Sequence, residues 1–196
     1  TSFLLSTGSL AIGAGDVAVG GKKAWITSAF ASTQLFALVW SLFLSLFLAI
    51  AGGSEAPICF GNLKAWETMR VVSQDTCRPF SRDRGGMILG EGAAMFVMES
   101  LESAQARGAK IYAEVAGFGM SADAHHLTMP LSNGAAKAMR GALADGRITP
   151  EDVGYVNAHG TATQANDAME SDAIRTVFGT HTDSLAVSST KSMHGH

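Results

Sequence analysis

Charged side chains are scarce in this chain. Asp, Glu, Lys and Arg make up 16% of its 196 residues, against about 25% in an average soluble domain. With 47% hydrophobic residues, the composition excludes intrinsic disorder, which needs high charge and few apolar side chains. Net charge is −3 and no Lys/Arg stripe is present, which excludes nucleic acid as the main partner. There are only two cysteines, too few for a disulfide framework or a paired-cysteine metal site, and a reduced, intracellular compartment is the expectation. Internal repeats at solenoid periods are absent. Glycine is abundant instead, 22 of 196 residues, which implies tight turns and close backbone contacts. It has no three-residue period, so collagen is excluded. The length suits one domain or a piece of a larger one. The chain starts at Thr1 rather than Met and stops at His196 inside a Gly/His-rich stretch, so it reads as a fragment.

Charge is missing altogether from Ala24 to Ser54. Inside that stretch, Leu35 to Ala51 (LFALVWSLFLSLFLAIA) has only Ser41 and Ser45 as polar residues. Its 17 residues sit at the lower edge of a membrane span. Three readings stand: a transmembrane helix; a signal-peptide core after Lys22-Lys23, with Ala49-Ile50-Ala51 as a small-x-small site; or a segment foreign to the fold, from translated intron or frame-shifted sequence.

From Gly53 onward the pattern is that of an α/β protein. Leu63, Trp66, Met69 and Arg70 have helical spacing within Asn62 to Val72. Thr76 to Gly86 is polar and turn-like. Gly90 to Glu99 reads as a buried strand, Glu102 to Arg107 as a short helix stopped by Gly108, and Ile111 to Gly119 as an alternating strand. A helix over Gly134 to Ala144 follows. Thr149-Pro150-Glu151-Asp152 is a helix-start signature. A strand is expected at Gly154 to Ala158, a helix at Asp167 to Phe178 stopped by Gly179, and a strand at Ser184 to Ser189. The alternation predicts an α/β sheet with helices on both faces.

Two segments share one shape. Tyr155 to Thr163 (YVNAHGTAT) and Ala186 to His196 (AVSSTKSMHGH) each run from an apolar strand into a loop of small residues carrying His. Ligands in open α/β sheets bind outside the carboxyl ends of strands. His159, Lys191 and His196 are thereby catalytic candidates, although a lone buried His is as often a structural one. His194 and His196 are weak metal candidates, with no Cys or carboxylate cluster beside them. The adjacent His125 and His126 diverge and read as a loop or binding wall. A buried Lys191 needs a partner, and Glu170, Asp167 and Asp172 are the candidates in the preceding helix. Cys77 lies beside Arg78, which favours thiolate, but neither it nor Cys59 has a base nearby in sequence.

Taken together, these segments resemble the β-ketoacyl-acyl-carrier-protein synthases, the condensing enzymes of fatty acid and polyketide synthesis. The likeness is carried in order by AGGSEAPI (Ala51 to Ile58), CRPFSRDRGGMILGEGAAMFVME (Cys77 to Glu99), ARGAKIYAEVAGFGMSADAHHLTMP (Ala106 to Pro130), YVNAHGTATQANDAMES (Tyr155 to Ser171) and VSSTKSMHGH (Val187 to His196). STGSLAIG (Ser6 to Gly13) is similar to the family's nucleophile-elbow helix. The resemblance implies an α/β, thiolase-like fold of αβαβα layers, here incomplete. Residues 1–13 would be a remnant of the elbow and 14–50 an atypical apolar insert. Residues 51–145 would end the first ketosynthase half and 146–196 begin the second.

The resemblance also implies a Cys-His-His mechanism of decarboxylative Claisen condensation, as in a 3-oxoacyl-ACP synthase. A Cys takes an acyl group; two His side chains donate to the malonyl thioester oxygen and stabilise the enolate formed as CO2 leaves. By motif position the two are His159 and His196, Lys191 matches the family's Lys, and Glu170 the Glu that pairs with it. Thr161 and Thr163 match the hydroxyls that hold the pantetheine arm. No metal and no resident cofactor are implied, since substrates ride on the phosphopantetheine of acyl carrier protein. That carrier is the implied partner, with a homodimer in the complete enzyme. The compartment implied is cytoplasmic, or membrane-associated through 24–51.

Two departures stand out. Leu5 occupies the nucleophile position and cannot form a thioester, and Ala14 to Ile50 is longer and more apolar than the family's link. This chain is therefore expected not to condense. Two other functions stay open: a non-condensing partner of the same fold (a chain-length or decarboxylating subunit), and a membrane-anchored interaction protein.

Overall fold

A computed structural model describes residues 48–126 and 129–196. In chain order it contains β1 (Leu48–Glu55), α1 (Phe60–Thr68), β2 (Gly92–Glu99), α2 (Leu101–Ala106), α3 (Ser132–Gly146), β3 (Tyr155–Asn157), α4 (Gln164–Phe178), β4 (Ala186–Ser188) and α5 (Lys191–His194). Turns of 3-10 helix lie at Pro150–Asp152 and Gly179–Asp183. β1 pairs antiparallel with β2, from Leu48 opposite Glu99 to Glu55 opposite Gly92. β3 pairs parallel with β4, Tyr155 opposite Ala186 through Asn157 opposite Ser188.

The core lies under the second pair. α4 buries one stripe at helical spacing, polar at its start and apolar at its end: Asn166, Asp167 and Glu170, then Ala173, Ile174 and Phe178. The apolar end packs with Val153, Val156, Ala158 and Leu185, and with Ala135, Ala136, Met139 and Leu143 of α3. Alanines on α3 let the two helices approach closely around short strands. The Thr163 hydroxyl accepts from the Asn166 amide and caps α4. At the other end Gly179, with φ +53°, stops the helix.

Several expectations are corrected here. Ile111 to Gly119 forms no strand. Gly119 lies so close to α3 that a Cβ there would run into the Ala138 carbonyl oxygen, and the Phe118 amide donates to Asp145 at 2.9 Å. The segment thus lies along a helix by its backbone, with a single β-bridge residue at Val115 rather than a strand. The Thr149 signature does build a reciprocal capping box with Asp152, but it opens a single 3-10 turn rather than a helix.

β2 is a strand, yet not a buried one: Phe96 is 66% exposed, and Met95 and Val97 are nearly as open. Among the described residues this two-stranded ribbon has no further strand beside it, and no helix packs on it closely. Its composition is that of a covered strand. Among the described residues, likewise, the strands form two separate pairs and no large sheet with helices on both faces.

Of the apolar run, Leu48 to Ala51 is the first half of β1, so those four residues are extended strand. The rest of the run, with Leu5, lies outside the described residues. Among the described residues no helix is long and apolar enough to cross a membrane.

Candidate functional site

Because β3 and β4 run parallel, the loops that follow them leave at the same end. Pairing continues past the strands: the Ala158 amide donates to the Ser188 carbonyl at 2.7 Å, and the Ser189 hydroxyl donates to the His159 carbonyl at 3.1 Å. His159 and His196, 37 positions apart in sequence, thus meet with ring centroids 5.6 Å apart and planes at 74°, edge to face. The main chain of His196 is held by a third segment. Its amide donates to the Ile88 carbonyl at 2.7 Å, and its carbonyl accepts from the Gly90 amide at 2.9 Å. A Cβ on Gly90 would run into the His194 carbonyl oxygen. Gly90→Ala is therefore expected to separate the two imidazoles, read as loss of the nuclear Overhauser contact between the rings while helix content by circular dichroism holds.

Glu170 lies buried under the His159 loop. Its carboxylate accepts from the amides of His159 (2.7 Å) and Gly160 (2.8 Å) and from the Asn166 side chain (3.3 Å). The sequence pointed to an ion pair with Lys191. Among the described residues the two are not joined at contact distance, and Glu170 acts on Lys191 only as a nearby negative charge. What Glu170 orients is the His159 backbone. Burial lowers the pKa of Lys191, with Glu170 and Cys77 opposing. His159 is pushed down to about 4 by burial first, then by the charges of Lys191 and His196. His196 is lowered by burial and by Lys191, with Glu55 opposing. Both imidazoles are therefore neutral at pH 7, and a neutral imidazole has one N–H to donate. Among the described residues no hydrogen bond reaches a ring nitrogen of either.

The neutral state has a stability consequence. An unfolded His159 takes a proton near its ordinary pKa of about 6.5, whereas the folded one resists until about 4. The unfolded chain binds more protons between these values, so stability present above pH 6.5 falls as pH drops toward 4 and levels off below it. Urea midpoints measured from pH 7 to pH 4 should fall, and His159→Gln should flatten that fall.

A second buried carboxylate fixes the loop between the His159 strand and α4. Asp167 accepts from the amides of Phe80 (2.7 Å) and Ala162 (3.1 Å) and from the Asn166 side chain (3.1 Å). The Arg84 guanidinium stands 3.7 Å from it. Phe80 and Ala162 have φ of +63° and +64°, a left-handed backbone that costs a non-glycine residue about 1–2 kcal/mol. One carboxylate holds both bends. On either side of Ala162 in the chain, Thr161 and Thr163 bring their hydroxyls to 2.8 Å of each other. The buried Cys77 thiol points at the Thr161 carbonyl at 3.9 Å.

The structure thus gathers His159, His196, Lys191, Glu170, Thr161 and Thr163 at one end of the β3–β4 pair. It sends the other candidates elsewhere. Asp172 is exposed on α4, Asp167 serves Arg84 and the backbone, and Cys59 is exposed at the start of α1. His194 is exposed, and among the described residues no group of three or more His, Cys, Asp or Glu is placed to hold a metal ion. His126 bridges to Met129 in the loop before α3. Sequence reading missed Asp167 as a clamp, and also Phe80, Arg84, Gly90 and Trp66. The one available signal was Asp167 three residues before Glu170, on the same helical face.

Comparison with known proteins agrees with this arrangement. The family described as "Beta-ketoacyl synthase, N-terminal domain" matches residues 40–104, and "Beta-ketoacyl synthase, C-terminal domain" matches residues 112–196. "Nodulation protein E" of Rhizobium sp. (strain N33) is 59% identical over 147 residues, 75% of this chain and 37% of that protein. "3-oxoacyl-[acyl-carrier-protein] synthase 2" of Staphylococcus aureus is 48% identical over 154 residues, 75% of this chain and 38% of that protein. A solved structure, "AntDE:AntF (apo): type II PKS acyl-carrier protein in complex with its ketosynthase bound to the hexaketide", superposes with a TM-score of 0.75 at 35% identity. The match covers 82% of this chain and 42% of that one. The chain spans well under half the length of the curated relatives it matches.

Proposed function

This chain belongs to the β-ketoacyl synthase family, with part of its thiolase-like α/β fold, and from that premise we propose that it carries the malonyl-decarboxylating half of a 3-oxoacyl-ACP synthase site. The substrate is malonyl thioester on the phosphopantetheine arm of acyl carrier protein, and the pathway is synthesis of fatty acids or related acyl chains. The observation that carries the reading is the pair of neutral imidazoles in edge contact, 5.6 Å between centroids. Each has one N–H to donate to the thioester oxygen. The bond between the malonyl methylene carbon and the carboxylate breaks, CO2 leaves, and the electron pair becomes an enolate whose oxygen is held by the two donors. In condensation that carbon attacks an acyl thioester and expels the thiolate, giving a β-ketoacyl-carrier. Without an acceptor it is protonated to acetyl thioester. Thr161 and Thr163 flank the loop and would hold the pantetheine amides. Glu170 keeps the His159 backbone in place, and Lys191 biases both rings toward neutrality. The relative solved with its acyl-carrier protein supports the carrier as partner. A homodimer in the complete enzyme and a cytoplasmic location belong to the same reading. No resident cofactor is required.

Leu5 favours a second reading, in which the chain decarboxylates malonyl-carrier as a non-condensing partner subunit. Leucine has no nucleophile, so no acyl-enzyme forms there. Incubating the chain with malonyl-carrier labelled in the free carboxyl separates the outcomes. Labelled CO2 together with acetyl-carrier and no β-ketoacyl product is expected. No CO2 above the His159→Ala, His196→Ala control overturns the decarboxylating role, and β-ketoacyl product from the chain overturns the non-condensing one.

A further inference from the structure

His196 has two ring neighbours. One is His159, and the other is the indole of Trp66, 5.9 Å between centroids with planes at 59°. Main-chain bonds to Ile88 and Gly90 fix the His196 backbone but leave its side-chain torsions free. Among the described residues no hydrogen bond reaches a ring nitrogen, and what these residues offer to orient the ring is packing. Trp66 is half-buried, with Asn62 and Leu63, on a helix that buries no residue completely. The outer face of α1 carries the exposed Lys64–Glu67 pair, 2.6 Å apart. The helix start is tethered to the strip that holds His196, because the Ile58 amide donates to the Glu91 carboxylate at 3.0 Å. One strip, 88–91, therefore sets both the His196 backbone and the entry to the helix bearing Trp66.

We propose that Trp66 is a positioning residue for His196: its indole packs against the imidazole and keeps water from the part it covers, so that the donor N–H stays aimed beside that of His159. The role of that donor rests on the function proposed above; the packing itself does not. Among the described residues, the charged or titratable groups that act on His196 are Lys191 from its own segment, His159 from the loop after β3, and Glu55 from the end of β1. Glu91 lies in the 88–91 strip, its carboxylate engaged by Ile58. Among these Glu55 alone stabilises the protonated ring, and burial with Lys191 outweighs it. Removing the indole admits water and weakens the largest of these influences.

The test uses the full 196-residue chain without substrate. Imidazole Cε1–H signals are followed through pH titration by NMR, with His196→Gln assigning the signal. In Trp66→Ala the His196 midpoint should move upward, toward an ordinary imidazole, and its contact with the His159 ring should weaken. Trp66→Phe should keep both close to wild type, because an aromatic ring still covers the imidazole. In wild type a nuclear Overhauser contact between the indole and His196 protons should be present, a readout that needs no variant to fold. Absence of that contact, or a His196 midpoint unmoved in folded Trp66→Ala, overturns the proposal. On malonyl-carrier, Trp66→Ala should lower kcat with little change in KM and shift the acid limb of the pH profile upward. If wild type releases no CO2, the functional reading fails while the titration still decides the role of Trp66.

Discussion

Replacing His159 by alanine lowers malonyl-thioester decarboxylation by about 10²–10³-fold, the usual cost of one oxyanion donor, about 2.7–4 kcal/mol. The enolate oxygen needs its donors in place before CO2 leaves, and His159 is built for that. Glu170 clamps its backbone amide at 2.7 Å, and burial keeps its ring neutral down to about pH 4. The loss should sit in kcat rather than KM, because the thioester oxygen gains charge only in the transition state. His196→Ala should cost a similar factor, and the double variant little more than either single one, since two donors sharing one oxygen act as a unit. Stopped assays of CO2 release check this, and His159→Ala releasing CO2 at the wild-type rate would remove the role assigned to the pair. From pH 8 to pH 5 the wild-type rate should stay free of any acid limb due to His159. Below that it should fall as the ring takes a proton and loses its neutral form.

The largest loss of stability is expected from Asp167→Ala. The carboxylate is 2% exposed and ties Phe80, Ala162, Asn166 and Arg84 together. Its removal leaves two backbone amides without their acceptor, takes the carboxylate away from the part-buried Arg84 guanidinium and releases two left-handed bends. Breaking a buried charged network by removing one partner costs about 3–5 kcal/mol, a large part of the ~5–15 kcal/mol that holds a typical domain folded. Urea unfolding should show a midpoint displaced far below wild type, with Asp167→Asn intermediate because its amide oxygen still accepts. Equal midpoints for Asp167→Ala and wild type would show that the clamp contributes nothing.

What the sequence makes legible is local. The small residues before and after each His mark tight loops after strands, and β3, β4 and α4 lie where their patterns place them, each within a few residues. The motif-based likeness names the two His, the Lys, the Glu and the two Thr that the fold then gathers at one end of a parallel pair. Long-range backbone contacts are not legible. Gly90 and Gly119 look like ordinary turn glycines, yet each marks a close approach to a distant segment. Asp167 looks like one helix-start acid among several, and its partners Phe80 and Arg84 are more than 80 positions away. The strand around Phe96 reads as buried because apolar composition reports what a strand is made to touch. It cannot report whether that neighbour is present among the residues described.

The shared donor site is tested most directly by the infrared stretch of a 13C-labelled acetyl-pantetheine carbonyl bound to the resting chain. Acetyl thioester has no carboxyl to lose, so the complex is stable during measurement. Two imidazole N–H donors on one oxygen should lower the stretch on binding, with about half of that shift lost in His159→Ala and in His196→Ala. A bound carbonyl with its free-solution frequency, or a shift insensitive to both substitutions, would contradict the account.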